Sequence, residues 1–272
     1  MPEWAQKPTD GAVEQGSNTL QQKSSVQRHY STAVQDFTER YRGSHQEYPA
    51  ESIRLKLILS RLKDLAPRTL LDCGCGEGTP MSRIHDTGVD VWGFDLVPQM
   101  VASATGMMKS KGLENRVWLG DVTEPSAFTP KGIDVPKTFD VCMALGVLPH
   151  IEDEIVALRN MAAVTRKGGR VLVEFRNELF SLFTLNRYSL EFFRDQLIQI
   201  SELKSSHPEF ARELEQVSDE LQRYFKVDLP VQRTGTEQAP GYDEILSRFH
   251  NPYRLDGIFG EAGLAIDKTH FY

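Results

Sequence analysis

Three glycines at alternate positions carry the most specific chemical signal in this sequence: Asp72-Cys73-Gly74-Cys75-Gly76-Glu77-Gly78. Alternating glycines let a backbone turn sharply and approach a bound molecule closely, where side chains would block it. The run lies between an apolar stretch, Thr69-Leu70-Leu71, and a helical pattern opened by Thr79 and Pro80, so it reads as a strand-to-helix turn. In open α/β sheets such turns, at the carboxyl edge, are where ligands bind. Carboxylates recur at equivalent places. Asp95 ends the next strand, nineteen residues after Gly76, where an acid can accept hydrogen bonds from both hydroxyls of a ribose. Gly120-Asp121 ends a third strand, where an acceptor can meet the exocyclic amine of a base. His150, in Gly146-Val147-Leu148-Pro149-His150-Ile151, follows a fourth strand and is the candidate proton acceptor.

These glycines do not spell a dinucleotide site. That fingerprint needs G-x-G-x-x-G, but counting from Gly74 the last place holds Thr79, and counting from Gly76 it holds Met81. A pyrophosphate also seeks free N–H groups at a helix start. Here Thr79 is expected to cap that end, and Pro80 carries no N–H. The site suits a ligand with an amino-acid end and a ribose but no bridging phosphates, and S-adenosylmethionine (SAM) is such a ligand. Methyl transfer from a sulfonium is an in-line displacement, so the protein's main task is alignment, worth on the order of 7–11 kcal/mol. A hydroxyl acceptor needs a proton acceptor as well.

Positioning three strand tips around one ligand requires a sheet. Residues 1–24, rich in Gln, Ser, Thr and Gly, are expected to form a disordered or loose leader. Val26, Tyr30, Val34, Phe37 and Tyr41 then recur at helical spacing, and Leu55, Ile58, Leu62 and Leu65 mark a second helix with Arg54, Arg61 and Lys63 off its apolar face. Strands are expected at 69–72, 89–95, 116–120, 139–145 and 170–175, with helices at 79–88, 98–111 and 151–166 between them. Strands alternating with amphipathic helices build parallel βαβ units. After 175 the rhythm breaks into two helical patterns, Leu190 to Ile200 and Phe210 to Phe225, the second opened by Ser206-His207-Pro208-Glu209 as a capping box. Residues 178–249 are therefore read as an inserted helical cap. A last unit follows, with a helix at 253–262 and a sixth strand at 264–271.

With these residues in place, the chain resembles the class I SAM-dependent methyltransferases. The resemblance rests on Asp72 to Gly78 as the glycine motif, Asp95 as the ribose acid, Gly120-Asp121 as the adenine contact and Phe139-Asp140 as the start of the fourth strand; it covers residues 50–177 and 250–272. It implies an α/β, doubly wound, mostly parallel Rossmann-like sheet with a helical N-terminal lid and a helical insertion after the fifth strand. It implies that Asp72, Gly74, Cys75, Gly76, Asp95, Leu96, Asp121, Val122 and Leu145 hold SAM, the backbone near Gly74 and Leu145 taking the methionine portion; a His at the place of His150 is in this family either a base acting on the acceptor or a structural residue, and both roles stay open here. Tyr30, Arg176, Asn177, Tyr188 and His250 are the expected acceptor-binding residues, with Glu174, Tyr41, Arg187 and Asn251 beside them. A helical leader and cap closing over the cleft would exclude water and suit a small acceptor, at oxygen or nitrogen. The stretch from Arg176-Asn177-Glu178 onward looks like methyltransferases that tailor sugars or natural products. One departure stands out: the family sheet usually ends in a seventh strand antiparallel to the sixth, and this sequence reads as six.

Composition narrows the partners. Lys and Arg number 31 against 38 Asp and Glu, a formal charge of -7, so nothing favours a nucleic acid or an anionic membrane surface. Cys73, Cys75 and Cys142 form no C-x-x-C pair, which together with the lack of an apolar signal segment points to a reduced, cytoplasmic protein. No run of His, Cys or carboxylates has metal-ligand spacing, so no metal is expected. The expected partners are a small-molecule methyl acceptor and, for assembly, a second copy of the chain. Two other functions remain open from sequence: a non-catalytic SAM-binding subunit, and a nicotinamide-dependent reductase on a related fold.

Overall fold

The computed structural model describes residues 12–34, 41, 50–184, 187–224, 234–236, 238–241 and 244–272. Two helices, α1 (Ala12–Ser31) and α2 (Ala50–Leu65), precede the first strand. The alternating core comprises β1 (Thr69–Cys73), α3 (Thr79–His85), β2 (Asp90–Asp95), α4 (Pro98–Lys109), β3 (Val117–Leu119), β4 (Phe139–Ala144), α5 (Glu154–Val164) and β5 (Thr165–Val173). Then come α6 (Ser181–Thr184), α7 (Arg187–Glu191), α8 (Ile200–Ser206), α9 (Pro208–Tyr224) and α10 (Leu255–Glu261). Among the described residues no helix is long and apolar enough to cross a membrane.

The sheet order is β3-β2-β1-β4-β5, and every neighbouring pair is parallel. Strands buried on both faces need apolar residues of both pleat phases. Leu70, Val91, Val117, Val141 and Met143 therefore face Met81 and Ile84 of α3, Ala104 and Met108 of α4 and Leu62 of α2. Their neighbours Leu71, Trp92, Trp118 and Cys142 face Ala157, Leu158 and Met161 of α5 and, from α10, Ile258 and Phe259. The chain winds from β1 outward to β3, then returns to β4 on the other side of β1. This reversal leaves a crevice at the carboxyl ends of β1 and β4, where the loops after the two strands splay apart.

Several expected boundaries shift, each for a physical reason. The leader is not loose where it is described: α1 starts at Ala12, and its polar side chains bond to the strand tips, with Val26 buried beneath it. It ends at Ser31 rather than continuing to Tyr41, while Phe37 lies outside the described residues. Thr79 is not the helix cap. Gly78 caps α3, with φ of 97°, and Glu77 Oε2 accepts from the Thr79 N–H at 2.6 Å. β5 starts at Thr165, several residues early. Asp140 draws Arg166 onto the sheet through its guanidinium while accepting from the N–H groups of Arg68 (2.7 Å) and Thr69 (3.1 Å). No sixth strand forms at 264–271. That segment is held by side chains instead, Asp267 accepting from Arg61 at 2.7 Å and Arg170 at 3.1 Å. The expected helix through Leu190 and Ile200 is broken by a π-turn at Phe192–Leu197 and by Gln199, whose φ of 57° is left-handed.

The chain divides into two compact units: residues 1–175, 234–248 and 256–272, and residues 176–233 with 249–255. The insertion thus starts at Arg176, and the stretch 234–248, expected in the cap, belongs to the first unit.

Candidate active site

The glycine loop is shaped by close approach. A Cβ on Gly74 would lie 2.3 Å from Val147 Cγ2 in the loop after β4, and one on Gly78 would lie 2.8 Å from the Ala104 Cα of α4; both glycines have φ near +98°. At Gly76 a Cβ would meet nothing within 4 Å, so the middle of the loop borders open space. Asp95, at the tip of β2, binds this loop directly. Its Oδ2 accepts from the Gly76 N–H and its Oδ1 from the Val97 N–H, both at 2.9 Å.

Around that space the fold buries acids. Asp72, at the end of β1, is 2% exposed, and no described residue donates a hydrogen bond to its carboxylate. Burial, with the charges of Asp95 and Glu77 beside it, pushes Asp72 up to about 8 against an opposing pull from Arg54. Burial also raises Glu77, whose Oε1 has no partner among the described residues, and raises Asp95 despite its backbone donors. Such a group of buried carboxylates repels phosphate and favours a cation.

One cation is already present. Arg54 of α2 donates from Nη1 to Glu174 Oε2 at 2.7 Å and from Nη2 to Tyr41 Oη at 2.6 Å, and its buried Nε has no partner among the described residues. Glu174, just past β5, also accepts from the Tyr272 hydroxyl. Burial pushes the Tyr41 phenol up to about 12, although Arg54 works against it.

At the next tips, Asp121 follows β3. Its Oδ1 accepts from the Thr123 N–H and hydroxyl, each at 2.8 Å, and its Oδ2 pairs with Lys23 Nζ of α1 at 2.7 Å. Burial works to raise Asp121, but the Lys23 and Thr123 hydrogen bonds outweigh it and hold the carboxyl below its usual range. Leu96 presents its carbonyl to Gln27 Nε2 of α1 at 2.9 Å, and Val122 presents its own to Asn160 Nδ2 at 3.0 Å. Cys75 is buried, and Leu145 is half-buried just past β4. His150, also buried, has its Nδ1 2.6 Å from the Leu246 carbonyl oxygen. A carbonyl only accepts, so Nδ1 carries the proton. Nε2 is then the acceptor, 2.8 Å from the Tyr30 hydroxyl of α1.

The remaining acceptor candidates lie in the second unit. The carbonyl of Arg176 accepts from the His250 N–H at 2.7 Å, and Asn177 bridges His250 in a parallel fashion. The Arg176 guanidinium lies over the Phe249 ring at 5.6 Å, and His250 is buried. Asn177 Oδ1 accepts from the Leu179 N–H at 3.0 Å, capping the turn that follows. Tyr188 is on α7, with its side chain outside the described residues.

A family model described as a methyltransferase domain matches residues 71–173, the span from β1 to β5 that carries the glycine loop and the acids Asp72, Asp95 and Asp121. Residues 71–173 are thus similar to a methyltransferase domain. The ubiquinone biosynthesis O-methyltransferase of Xanthomonas euvesicatoria is 26% identical over 133 residues, 49% of this chain and 53% of that protein. A ubiquinone/menaquinone biosynthesis C-methyltransferase of Bdellovibrio bacteriovorus is 33% identical over 107 residues, 38% of this chain and 42% of that one. The chain thus spans about half the length of the curated relatives it matches. In fold it is similar to a magnesium protoporphyrin IX methyltransferase from Synechocystis PCC 6803 solved with bound SAH, with a TM-score of 0.55, 16% identity, and coverage of 91% of this chain and 92% of that one.

Within residues 71–173 and the helices before them, sequence reading missed two sets of residues. Arg54 reads as a solvated charge beside an apolar stripe, yet it pairs with Glu174, 120 residues away. Gln22, Lys23 and Gln27 read as loose polar leader, yet each bonds to a strand-tip loop. Only the helical spacing of Val26 and Tyr30 hinted that this segment had a buried side.

Proposed function

We propose that the domain transfers a methyl group from SAM to an oxygen of a small-molecule acceptor. The observation that carries this reading is Asp72: a buried carboxylate to which no described residue donates, flanked by Asp95 and Glu77, in the loop whose Gly76 borders open space. A dinucleotide would bring its pyrophosphate into that negative field, whereas SAM brings an ammonium and a sulfonium. Asp72 suits the ammonium and Arg54, through an Nε that no described residue engages, the carboxylate. Each Asp95 oxygen accepts one backbone N–H and keeps a lone pair for one ribose hydroxyl. Gly74, Cys75, Gly76, Leu96, Val122 and Leu145 supply the backbone and apolar walls, and Asp121 the acceptor for the adenine amine.

When bound, SAM supplies an electrophilic methyl on a sulfonium, with a neutral thioether as leaving group. The chain's own residues then do three things. The buried acids hold the donor, and the loops after β1 and β4 orient it. His150 accepts the acceptor's proton at Nε2, while its Nδ1–H stays fixed on Leu246. Oxygen rather than carbon fits this arrangement, because a hydroxyl must lose its proton to a neighbouring base. Arg176, Asn177, Tyr188 and His250, the residues expected from sequence to meet the acceptor, all belong to the second unit. The names of the relatives suggest acceptors from quinone biosynthesis as the first class to try.

Calorimetry with SAH and with NADH, followed by labelled-methyl transfer from SAM to a panel of ring-hydroxylated compounds, tests the reading. SAH binding without NADH binding, with label on an oxygen, is expected. NADH binding without SAH binding refutes it. Tight SAH binding with no transfer to any phenol, amine or sugar would instead mark a non-catalytic SAM-binding subunit. His150→Gln should lower turnover at least tenfold, within the range of general-base effects, and leave the SAH dissociation constant nearly unchanged. Full turnover in that variant would make His150 a packing residue.

A further inference from the structure

Helix α1 meets the strand tips along a single stripe. Thr19, Lys23, Val26 and Tyr30 follow one another at four- and three-residue spacing, which places them on one side of an α-helix. Each has a tip-side partner or is buried. Thr19 donates to Glu152, Lys23 pairs with Asp121 at 2.7 Å, Val26 is 9% exposed, and Tyr30 donates to His150 Nε2. Gln22 and Gln27, flanking the stripe, donate to the carbonyls of His150 at 2.6 Å and Leu96 at 2.9 Å. The two expected cofactor positions after β2 and β3 and the candidate base after β4 are thus held by one continuous helix.

Two of these contacts occupy positions that the reaction needs. Lys23 takes the Asp121 oxygen opposite the one used by Thr123, so a donor arriving there competes with a charged partner. Tyr30 fills the Nε2 lone pair that an acceptor hydroxyl must reach. Lys23 and Tyr30 are seven residues apart, two turns and about 10.5 Å along an unbroken helix. A movement of the helix that frees Asp121 displaces Tyr30 as well. We propose that α1 couples adenine-site occupancy to exposure of the base: Lys23 leaves Asp121 when the donor is bound, and α1 withdraws the Tyr30 hydroxyl from His150, so the base becomes available only with the donor in place. This inference rests on the assignment of Asp121 to adenine in the reading above. It implies cofactor-first order and, because coupling between sites is reciprocal, that loosening α1 at either end tightens donor binding.

The test measures SAH affinity by calorimetry and the His150 ring by nitrogen NMR, assigned with His150→Gln. In the wild-type chain, saturating SAH should move the His150 Nε2 resonance to the position it holds in SAH-free Tyr30→Phe. Lys23→Met and Tyr30→Phe should each bind SAH about threefold to tenfold more tightly, the size expected when a half-buried contact stops holding the closed form. If SAH saturation leaves the wild-type His150 resonance where it was, the coupling is refuted, whether or not either variant folds. Unchanged or weaker SAH binding by both variants refutes it too. Asp121→Ala separates the two levels. Unchanged SAH affinity there overturns the adenine assignment itself, whereas weakened affinity alongside an unresponsive His150 overturns the coupling alone.

Discussion

Asp95→Ala is the sharpest probe of the cofactor site. Each oxygen of Asp95 already accepts one backbone N–H at 2.9 Å, from Gly76 and from Val97, and so keeps room for one further donor. If those donors are the ribose hydroxyls, the substitution removes two charge-assisted hydrogen bonds worth about 1.5–3 kcal/mol each, or about 3–6 kcal/mol together. That corresponds to a hundredfold to ten-thousandfold weaker SAH binding, by the rule that about 1.4 kcal/mol is tenfold. The same change orphans two N–H groups, so the ligand-free domain should also lose about 2–6 kcal/mol of stability. Asp95→Asn should not rescue either effect, because its amide must turn an N–H donor toward one of the two backbone donors. Loop disorder alone could imitate the affinity loss, so the assay needs a second ligand. A 2′,3′-dideoxy analogue of SAH should bind the wild type far more weakly than SAH does, yet bind Asp95→Ala nearly as well as SAH does, the coupling that a double-mutant cycle isolates. An equal penalty for the analogue in both proteins would show that Asp95 only holds the loop.

Other perturbations follow from the same geometry. Asp72 is pushed up to about 8 in the folded chain from an ordinary value near 4, so the stability linked to its protonated form is fully present below that ordinary value and is lost as pH rises toward 8. Asp72→Asn should therefore raise the melting temperature of the ligand-free protein at pH 8 more than at pH 5, and should weaken SAM binding; a melting-temperature change independent of pH would contradict the burial argument. Asp140 runs the other way. The hydrogen bond from Arg166, with those from the Arg68 and Thr69 N–H groups, outweighs a small desolvation effect and holds its carboxyl down to about 2, so the stability it contributes is present above pH 4 and lost as pH falls toward 2. Asp140→Ala should melt lower than wild type at pH 7, with the gap closing in acid. Gly74→Ala places a methyl 2.3 Å from Val147 Cγ2 at a φ of +98° and should cost about 2–5 kcal/mol, summing left-handed strain and overpacking. Adding Val147→Ala should recover the packing share but not the strain, and full recovery in the melt would show that φ matters little there.

Features that depend only on near neighbours were legible in the sequence. β1, β2 and β4 are apolar runs ended by Gly or Asp, and burial on both faces leaves such runs few alternatives. The loop Asp72 to Gly78 was equally readable, since left-handed φ values at Gly74, Gly76 and Gly78 ask for glycine whatever surrounds them. So was the tautomer-independent fact that His150 follows β4. Features set by distant partners were not legible. Arg54 became part of the site only because β5 delivers Glu174 to it, and α1 became ordered because strand-tip carbonyls and Asp121 satisfy its Gln and Lys side chains. β5 begins early because Asp140, on the neighbouring strand, captures Arg166. In each case the deciding side chain is polar and is no member of whatever apolar period its segment has. What the local pattern lacks is the partner, and only the sheet order β3-β2-β1-β4-β5 determines which residues far apart in the chain meet at one edge.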